Sequence, residues 1–271
     1  MSVNLSDFIM FWVVIAVMTS AALHDHRTRE IPDIHWSVLC VASVVIMLPD
    51  SPSASAGMAL LSLYMLSPKV VGARAVVVLA TSLCMFATAC VLDPGSSPVY
   101  LGIPAMFLLS LAFYATGLLK GGADAKACMA LSMAVPTYPG FQLLWQPVYP
   151  EAYLMPPSMA VLLTALAASL IPMVPILVRN IASGYRGRGM ATTYTLPLDV
   201  ATRSHVWILD DAVDGRLVTT GPSDDAERPS RLRAAGVDRV RVTPMIPFLV
   251  PLAASTAIVL FLGNPFMTLF G

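Results

Sequence analysis

The chain has 271 residues, of which 57% are hydrophobic and only 12% are charged, with 16 basic and 16 acidic side chains. Because soluble domains carry roughly a quarter charged residues, this composition argues against an ordinary water-soluble fold. The zero formal charge also provides no basic field of the kind that attracts nucleic acid, so we expect no nucleic-acid partner.

Apolar stretches long enough for membrane helices recur along the chain. A bilayer core about 30 Å thick needs roughly 20 mainly apolar residues for each helical crossing. On this basis the sequence predicts eight crossings, near residues 5–23, 34–48, 56–68, 73–92, 98–119, 125–142, 152–178 and 245–270. The third stretch is short, and if it joins the fourth as one long broken helix, or other short stretches do not cross, the count falls to seven or six.

The distribution of charge predicts which loops face the cytoplasm. If the N-terminus lies outside, eight crossings place all the basic residues on one side: Arg27, Arg29, Lys69, Arg74, Lys120, Lys126 and the arginines between 179 and 241. The opposite loops, around Asp50, Asp93 and Glu151, carry acidic residues only. This is the pattern of the positive-inside rule, and it predicts a multi-pass protein of the cell membrane in contact with membrane lipids.

Residues 179–243 form the long polar segment of the chain. Within it, SHVWIL, GRLVTT and VDRVRVTP are rich in β-branched residues and are separated by the turn signals DDAVDG and TGPSDDAERPS. We therefore expect an all-α polytopic membrane protein with a small cytoplasmic β-rich segment. Its predicted parts are membrane helices in 1–178, the β-rich segment in 179–243 and a C-terminal transmembrane helix in 244–271.

Two aspartates are predicted at helix ends on the cytoplasmic side. Asp25 ends the first helix in LHDHRTREIPDIHW, and Asp124 opens the sixth helix in KGGADAK. Taken singly, Asp25 is explained as a solvated helix end and Asp124 as an N-terminal acid favoured by the helix dipole. Taken together, two carboxyl groups a few ångströms apart share a proton, so that one activates a water and the other protonates a scissile carbonyl. Asp25 and Asp124 are therefore the candidate catalytic pair.

Other polar residues surround these aspartates in the sequence. Gly121 and Gly122 lack a Cβ, so a substrate strand could approach their backbone closely. Lys126 is a candidate for steering the substrate or tuning Asp124, and equally for a membrane-surface anchor. Glu30 and Asp33 either attract a basic substrate or pair with nearby arginines.

A metal site is not expected. His24, His26 and His35 lie near one another in the sequence but lack a convincing third ligand. We expect neither a metal nor another cofactor.

The two motif segments resemble the archaeal preflagellin and prepilin peptidases, relatives of the bacterial type IV prepilin peptidases. The resemblance rests on D-x-R-x-x-x-I-P-D from Asp25 to Asp33, on G-G-A-D-A-K from Gly121 to Lys126, and on the order of the helices and the cytoplasmic segment. Ala123 stands where the family's G-x-G-D motif commonly has its second glycine.

The resemblance implies a membrane aspartic endopeptidase with Asp25 and Asp124 as its catalytic residues. The residues that it implies for substrate binding or motif support are Gly121, Gly122, Lys126, Arg29 and Pro32. Its substrates would be precursors of archaeal flagellins or pilins, cut on the cytoplasmic side after a short basic leader. Nothing resembles the cysteine-rich insert of the bacterial members, so we expect peptidase activity without methylation.

Two other classes of function remain open at this point. A proton- or cation-coupled transporter could use the same aspartates, although both lie at one membrane face rather than near the midplane. A non-catalytic scaffold could use the β-rich segment to dock partners.

Overall fold

The computed structural model describes residues 5–119, 121–140, 142–144, 155–187, 189–213, 216–223, 225–245 and 247–267. The chain folds into two compact units. The helical unit comprises Met1–Ala168 and Pro247–Gly271, and the mixed unit comprises Ser169–Ile246.

The helical unit contains eight of the described helices, numbered here in chain order through both units. They are α1 Leu5–Thr28, α2 Ile34–Met47, α3 Pro52–Leu66, α4 Ala73–Leu92, α5 Ser97–Ala115, α6 Gly122–Ala134, α7 Pro157–Ala168 and α11 Leu249–Ala257. A short 3-10 turn precedes α5, and a π-helical turn, Ile258–Leu262, follows α11.

Helix length supports fewer membrane crossings than the apolar pattern predicts. Within the part of the chain that the structure describes, four segments are long and apolar enough to cross a bilayer: Leu5–Thr28, Ala73–Leu92, Pro94–Ala115 and Pro157–Ala182. The apolar helices Ile34–Met47, Pro52–Leu66 and Leu249–Leu262 are shorter than that. The chain is thus mostly helical and consistent with a membrane protein, but the predicted count of about eight crossings is not supported by helix length. An apolar stretch of sequence can be longer than the helix within it, because a proline ends the helix but does not lower the hydropathy of the stretch.

Two helix ends near the aspartates differ from the prediction. Helix α1 continues through the polar residues to Thr28, because charged residues end an apolar run without ending a helix, and basic residues in the last turn suit the helix dipole. Helix α6 ends at Ala134 rather than near residue 142, since Pro136 lacks an N–H and disfavours helical geometry at Val135. Asp25 therefore lies within α1 and not beyond it.

Helices α3 and α4 are separate helices that pack against each other, so they do not form one broken helix. Gly57 of α3 faces the ring of Phe86 so closely that a Cβ there would be 2.9 Å from the ring. The hydroxyl of Ser82 donates a hydrogen bond of 2.9 Å to the Gly57 carbonyl. Small residues and interhelical hydrogen bonds of this kind let membrane helices approach closely.

The interior of the helical unit is filled with large apolar side chains, while other apolar side chains point outward. Trp36, Phe86 and Phe107 are fully buried. In contrast, Trp12 is 55% exposed and Val91 is 78% exposed. An outer surface of this composition suits lipid rather than water.

The mixed unit holds the β-structure. Its elements are α8 Met173–Ala182, β1 Tyr194–Pro197, α9 Leu198–Ala201, β2 Val206–Ile208, β3 Asp210–Val213, β4 Arg216–Thr219, α10 Arg228–Ala234 and β5 Arg239–Pro244. Strands β1, β5 and β2 form an antiparallel sheet with β5 in the centre, and β3 pairs with β4 as a separate hairpin. Tyr194 pairs with Val242 in this register, and Val206 pairs with Pro244.

The sequence prediction for this unit is partly confirmed. The stretches SHVWIL, GRLVTT and VDRVRVTP contain β2, β4 and β5. The segment DDAVDG was predicted as a turn, but its first four residues form β3, and residues 214–215 lie outside the described part of the chain. Strand β1 and helix α10 were not predicted, because they are short and depend on contacts from elsewhere in the unit.

Arginines from β5 and α10 neutralise the two aspartates that begin β3. Arg241 binds Asp210 through its backbone N–H at 2.7 Å and through its guanidinium at 2.8 Å. Arg231 donates to both carboxylate oxygens of Asp211, at 3.1 and 2.7 Å, and to Asp225 at 2.6 Å. These bonds explain why acidic residues that are typical of turns occupy a buried strand.

Candidate active site

Asp25 lies in the last turns of α1, where its side chain is 8% exposed. Its Oδ2 atom is buried and has no hydrogen-bond partner within the part of the chain that is described. The backbone N–H of Leu249, the first residue of α11, interacts with this carboxyl group. A buried carboxylate next to a helix N-terminus receives partial positive charge from the helix dipole. This arrangement leaves one oxygen of Asp25 available for another group.

Asp124 lies in the first turn of α6, and its carboxyl group folds back onto Gly121. A Cβ on Gly121 would lie 2.9 Å from the Asp124 Cγ, which is closer than atoms of this kind approach. Gly121 has φ −86° and ψ 125°, which are angles that any residue adopts. Space for the Asp124 side chain, and not backbone freedom, is therefore the reason for glycine at this position.

Asp25 and Asp124 are far apart in the sequence but are near enough in the fold for their charges to interact. Helix α6 packs against α2 and α5 and also contacts α1, which carries Asp25. Two carboxyl groups in this relationship resist simultaneous ionisation.

The turn that follows α1 has an unusual backbone. Arg29 has φ 60°, in the left-handed region that side chains other than glycine rarely adopt. Its N–H donates to the Asp25 carbonyl at 3.2 Å, and its guanidinium interacts electrostatically with the Asp25 carboxylate. Arg29 thus belongs to the same turn as the first aspartate.

His35 fastens this turn to α1. Its Nδ1 bonds the carbonyl of Pro32 at 3.0 Å, and its Nε2 bonds the hydroxyl of Ser20 at 3.0 Å. Because a carbonyl oxygen only accepts, Nδ1 donates to Pro32, and in the neutral imidazole Nε2 then accepts from Ser20. The ring of His24 packs edge-on against His35 with centroids 5.3 Å apart.

Lys126 is joined to the same turn by an ion pair. Its Nζ donates a hydrogen bond of 2.6 Å to Oδ1 of Asp33, which stands at the start of α2. The sequence suggested Arg27 or Arg29 as the partner of Asp33. The observed ion pair instead links the two motif segments across 93 positions.

The remaining predicted residues lie around this cluster. Gly122 is exposed, and a Cβ there would meet only the Tyr114 hydroxyl at an ordinary 3.8 Å. Pro32 is exposed, and its carbonyl accepts bonds from the backbone and side chain of His35. Ala123 is partly buried against the core, and Lys120 lies outside the described residues. Among the described residues no group of three His, Cys, Asp or Glu side chains is arranged to hold a metal ion.

Ser20, His35 and Leu249 are neighbours of the site that sequence reasoning did not assign. The sequence analysis considered His35 only as a metal ligand. Its position three residues after Pro32 was the one feature of the sequence that could have suggested the observed bond to the Pro32 carbonyl. No pattern in the sequence pointed to Ser20 or Leu249, because their positions depend on how α1 packs against α2 and α11.

A cavity of about 480 Å³ lies in the helical unit but away from the two aspartates. It is lined by Asp7 of α1, by Asp50 and by Asp93, together with apolar residues of α2, α5 and α6. Asp7 and Asp25 are about 27 Å apart along α1 at 1.5 Å per residue. The cavity and the aspartate pair therefore lie at opposite ends of that helix.

Comparison with known proteins identifies no relative, since no family model and no curated protein matches the chain.

Proposed function

We propose that the chain is a membrane aspartic endopeptidase in which Asp25 and Asp124 activate a water molecule. The observation that carries this proposal is that α6 packs against α1 so that the carboxyl groups of Asp124 and Asp25 lie near enough to interact electrostatically, and that Asp25 has an unbonded buried oxygen. No metal or covalent nucleophile is required for this chemistry.

The division of labour follows from the surroundings of each carboxyl group. Burial disfavours a charge on Asp25, and the backbone N–H of Leu249 and the guanidinium of Arg29 offset part of that cost. Asp25 is therefore the base that takes a proton from the attacking water. Asp124 holds the shared proton and passes it to the scissile carbonyl oxygen, which gives a gem-diol. When the C–N bond then breaks, Asp25 gives the proton it took from the water to the departing amine, and Asp124 regains its proton from a gem-diol hydroxyl.

The proposed substrates are preflagellin- or prepilin-like precursors cut after a short basic leader at the cytoplasmic membrane face. This part of the proposal rests on the resemblance of the Asp25–Asp33 and Gly121–Lys126 segments to the peptidases of such precursors. The exposed carboxylate of Glu30, beside the site, is suitably charged to attract a basic leader.

The proposal includes a topology with the N-terminus outside and eight crossings. The four long segments would be joined by α2, α3, α6 and the α11 region, whose shortness would require local thinning of the bilayer. The positive-inside distribution of lysine and arginine supports this arrangement, in which both aspartates and the segment 179–243 would lie on the cytoplasmic side. The proximity of the aspartates does not depend on the crossing count.

The test is cleavage of a tagged prepilin or preflagellin by membranes that contain the full-length chain. Asp25→Asn and Asp124→Asn keep the size of each side chain but cannot share the proton, so each is expected to lower the rate by at least about a hundredfold. Asp50→Asn is the matched control, because it removes the same charge at the other end of the helical unit and is expected to cleave at the parental rate. Full cleavage by either of the first two variants would refute the proposal that these two aspartates are the catalytic pair.

A proton- or cation-coupled transporter is the second candidate. The acidic cavity at the end of α1 opposite to Asp25 is the observation that favours it, because ion pathways need polar groups at both ends. Proteoliposomes with an internal pH dye distinguish the two functions. Proton flux that Asp25→Asn and Asp50→Asn both abolish, without cleavage of any precursor, would replace the peptidase proposal.

A further inference from the structure

The ion pair between Lys126 and Asp33 connects two parts of the site that would otherwise be held by packing alone. Its 2.6 Å bond joins α6, which carries Asp124, to the turn that follows Asp25. The two side chains are 30% and 53% exposed. Since exposed ion pairs contribute little to folding stability, the main consequence of this bond is geometric.

The carboxylate of Asp33 bonds Lys126 and not the backbone of its own helix. Asp33 occupies the N-cap position of α2, where an aspartate usually accepts a hydrogen bond from the first turn of the helix. Its side chain makes no such capping bond. Its backbone is helical, with φ −61° and ψ −11°, which is not the usual geometry of a capping residue, and its carboxylate bonds Lys126.

The arrangement on α6 makes Lys126 suited to set the orientation of Asp124. The two residues are two positions apart, so their side chains leave the helix in directions about 200° apart. Asp124 turns toward Gly121, and Lys126 reaches Asp33. Holding Lys126 therefore restricts rotation of α6 about its axis, which is the motion that would carry Asp124 away from Asp25.

On the Asp33 side, the ion pair is attached to the turn between α1 and α2, whose backbone is strained. Arg29 keeps a left-handed backbone at φ 60°, and such conformations persist where the surrounding contacts over-determine them. The His35 bonds to Ser20 and Pro32 hold one side of this turn, and Lys126 holds Asp33 at its other end.

We infer that Lys126 and Asp33 are positioning residues whose ion pair sets the separation of the Asp25 and Asp124 carboxyl groups. This inference rests on the proposed function for its catalytic meaning, but the separation itself is measurable without any cleavage.

The first experiment measures proximity. In a full-length chain whose four native cysteines are replaced by alanine, Asp25→Cys and Asp124→Cys are combined and treated with a short bifunctional maleimide. We expect efficient cross-linking with Lys126 present, a severalfold loss on adding Lys126→Met, and recovery in the charge-exchanged pair Lys126→Asp with Asp33→Lys. Lys69→Met removes an exposed lysine elsewhere and is expected to change nothing. Equal cross-linking with and without Lys126 overturns the inference, whatever the result for cleavage.

The second experiment measures catalysis in the chain with both aspartates intact. Lys126→Met and Asp33→Asn are each expected to lower kcat by up to about fivefold with little change in KM, because an exposed ion pair can bias the position of the catalytic groups by only about that factor. The pH–rate profile is expected to change in both, since the proton shared by the pair depends on their separation. The charge-exchanged pair is expected to restore kcat and the profile. Parental kcat and profile in both single variants, or a folded exchanged pair that remains as slow as they are, would overturn the inference. A parent that cleaves no precursor but loses cross-linking with Lys126→Met would instead count against the proposed function alone.

Discussion

The carboxyl group of Asp124 lies against the α-carbon of Gly121, at a distance that leaves no room for a methyl group between them. The glycine is three positions before the aspartate, at the N-cap of α6. Gly121 has no side chain with which to cap the helix. The space that a side chain would fill is occupied by the Asp124 carboxyl group. Gly122, the next residue, has no comparable contact.

Gly121→Ala and Gly122→Ala are therefore expected to differ sharply. The added methyl at position 121 would displace the Asp124 carboxyl group, and we expect cleavage of a prepilin substrate to fall by about a hundredfold, as for other small misplacements of catalytic groups. The methyl at position 122 meets only ordinary contacts, and this variant should retain the parental rate. Similar rates for the two variants would contradict the assigned role of Gly121.

His35→Phe is expected to loosen the turn after α1. The substitution removes the bonds to Ser20 and Pro32, and it leaves the Pro32 carbonyl without its side-chain donor. We expect a loss of about 1–3 kcal/mol in the free energy of unfolding, together with a lower cleavage rate. Ser20→Ala removes only one of the two bonds and should cost about 1 kcal/mol. Thermal unfolding of the detergent-solubilised chain measures both, and a larger cost for Ser20→Ala would be inconsistent with the pairing.

Acid is expected to weaken the mixed unit only as the pH falls below the ordinary pKa range of carboxyl groups that lack partners. Hydrogen bonds from Arg231 hold the pKa of Asp211 and the pKa of Asp225 below their usual values. A lowered folded-state pKa contributes stability that is complete above the unfolded pKa of about 3.9 and is lost as the pH falls through the folded pKa.

Hydrogen exchange on the full-length chain measures this acid dependence. Protection factors of β3 and α10 are expected to decrease between about pH 4 and pH 2. Arg231→Met should lower protection at neutral pH and flatten this dependence. Arg233→Met, which removes an exposed pair with Asp199, should leave the profile unchanged. An identical acid dependence in the Arg231 variant would contradict the assignment.

The contact between α3 and α4 predicts opposite effects for two helical glycines. Gly57→Ala places a methyl against the Phe86 ring and is expected to destabilise the helical unit by about 1–3 kcal/mol, which is typical of overpacking. Gly102→Ala in α5 meets nothing within 4 Å and should be neutral or stabilising by up to about 1 kcal/mol, since alanine favours helix. Midpoints of thermal unfolding in one detergent compare the two, and equal shifts would exclude a tight α3–α4 contact at Gly57.

Local features of the chain were predictable to a useful extent. The bounds of α2 and α4 follow closely from their apolar runs, because each run ends where polar or turn-forming residues begin. The predicted bounds were less accurate at helix ends that contain prolines or charged residues. Pro136 and Pro172 divide apolar runs that look continuous, whereas the polar residues from His24 to Thr28 continue a helix that the hydropathy pattern appears to end.

The sequence by itself determined the membrane-like composition, the short β-strands and the two aspartates as a candidate pair, since each depends on residue type and local spacing. The tertiary structure decided which groups meet: Asp25 with Leu249, Lys126 with Asp33, and Asp124 with the space left by Gly121. The first two contacts join segments distant in the chain, and each depends on how helices are rotated and packed. The third depends on the rotamer of one side chain. Hydropathy and spacing do not encode these angles, because many packings bury the same apolar area equally well.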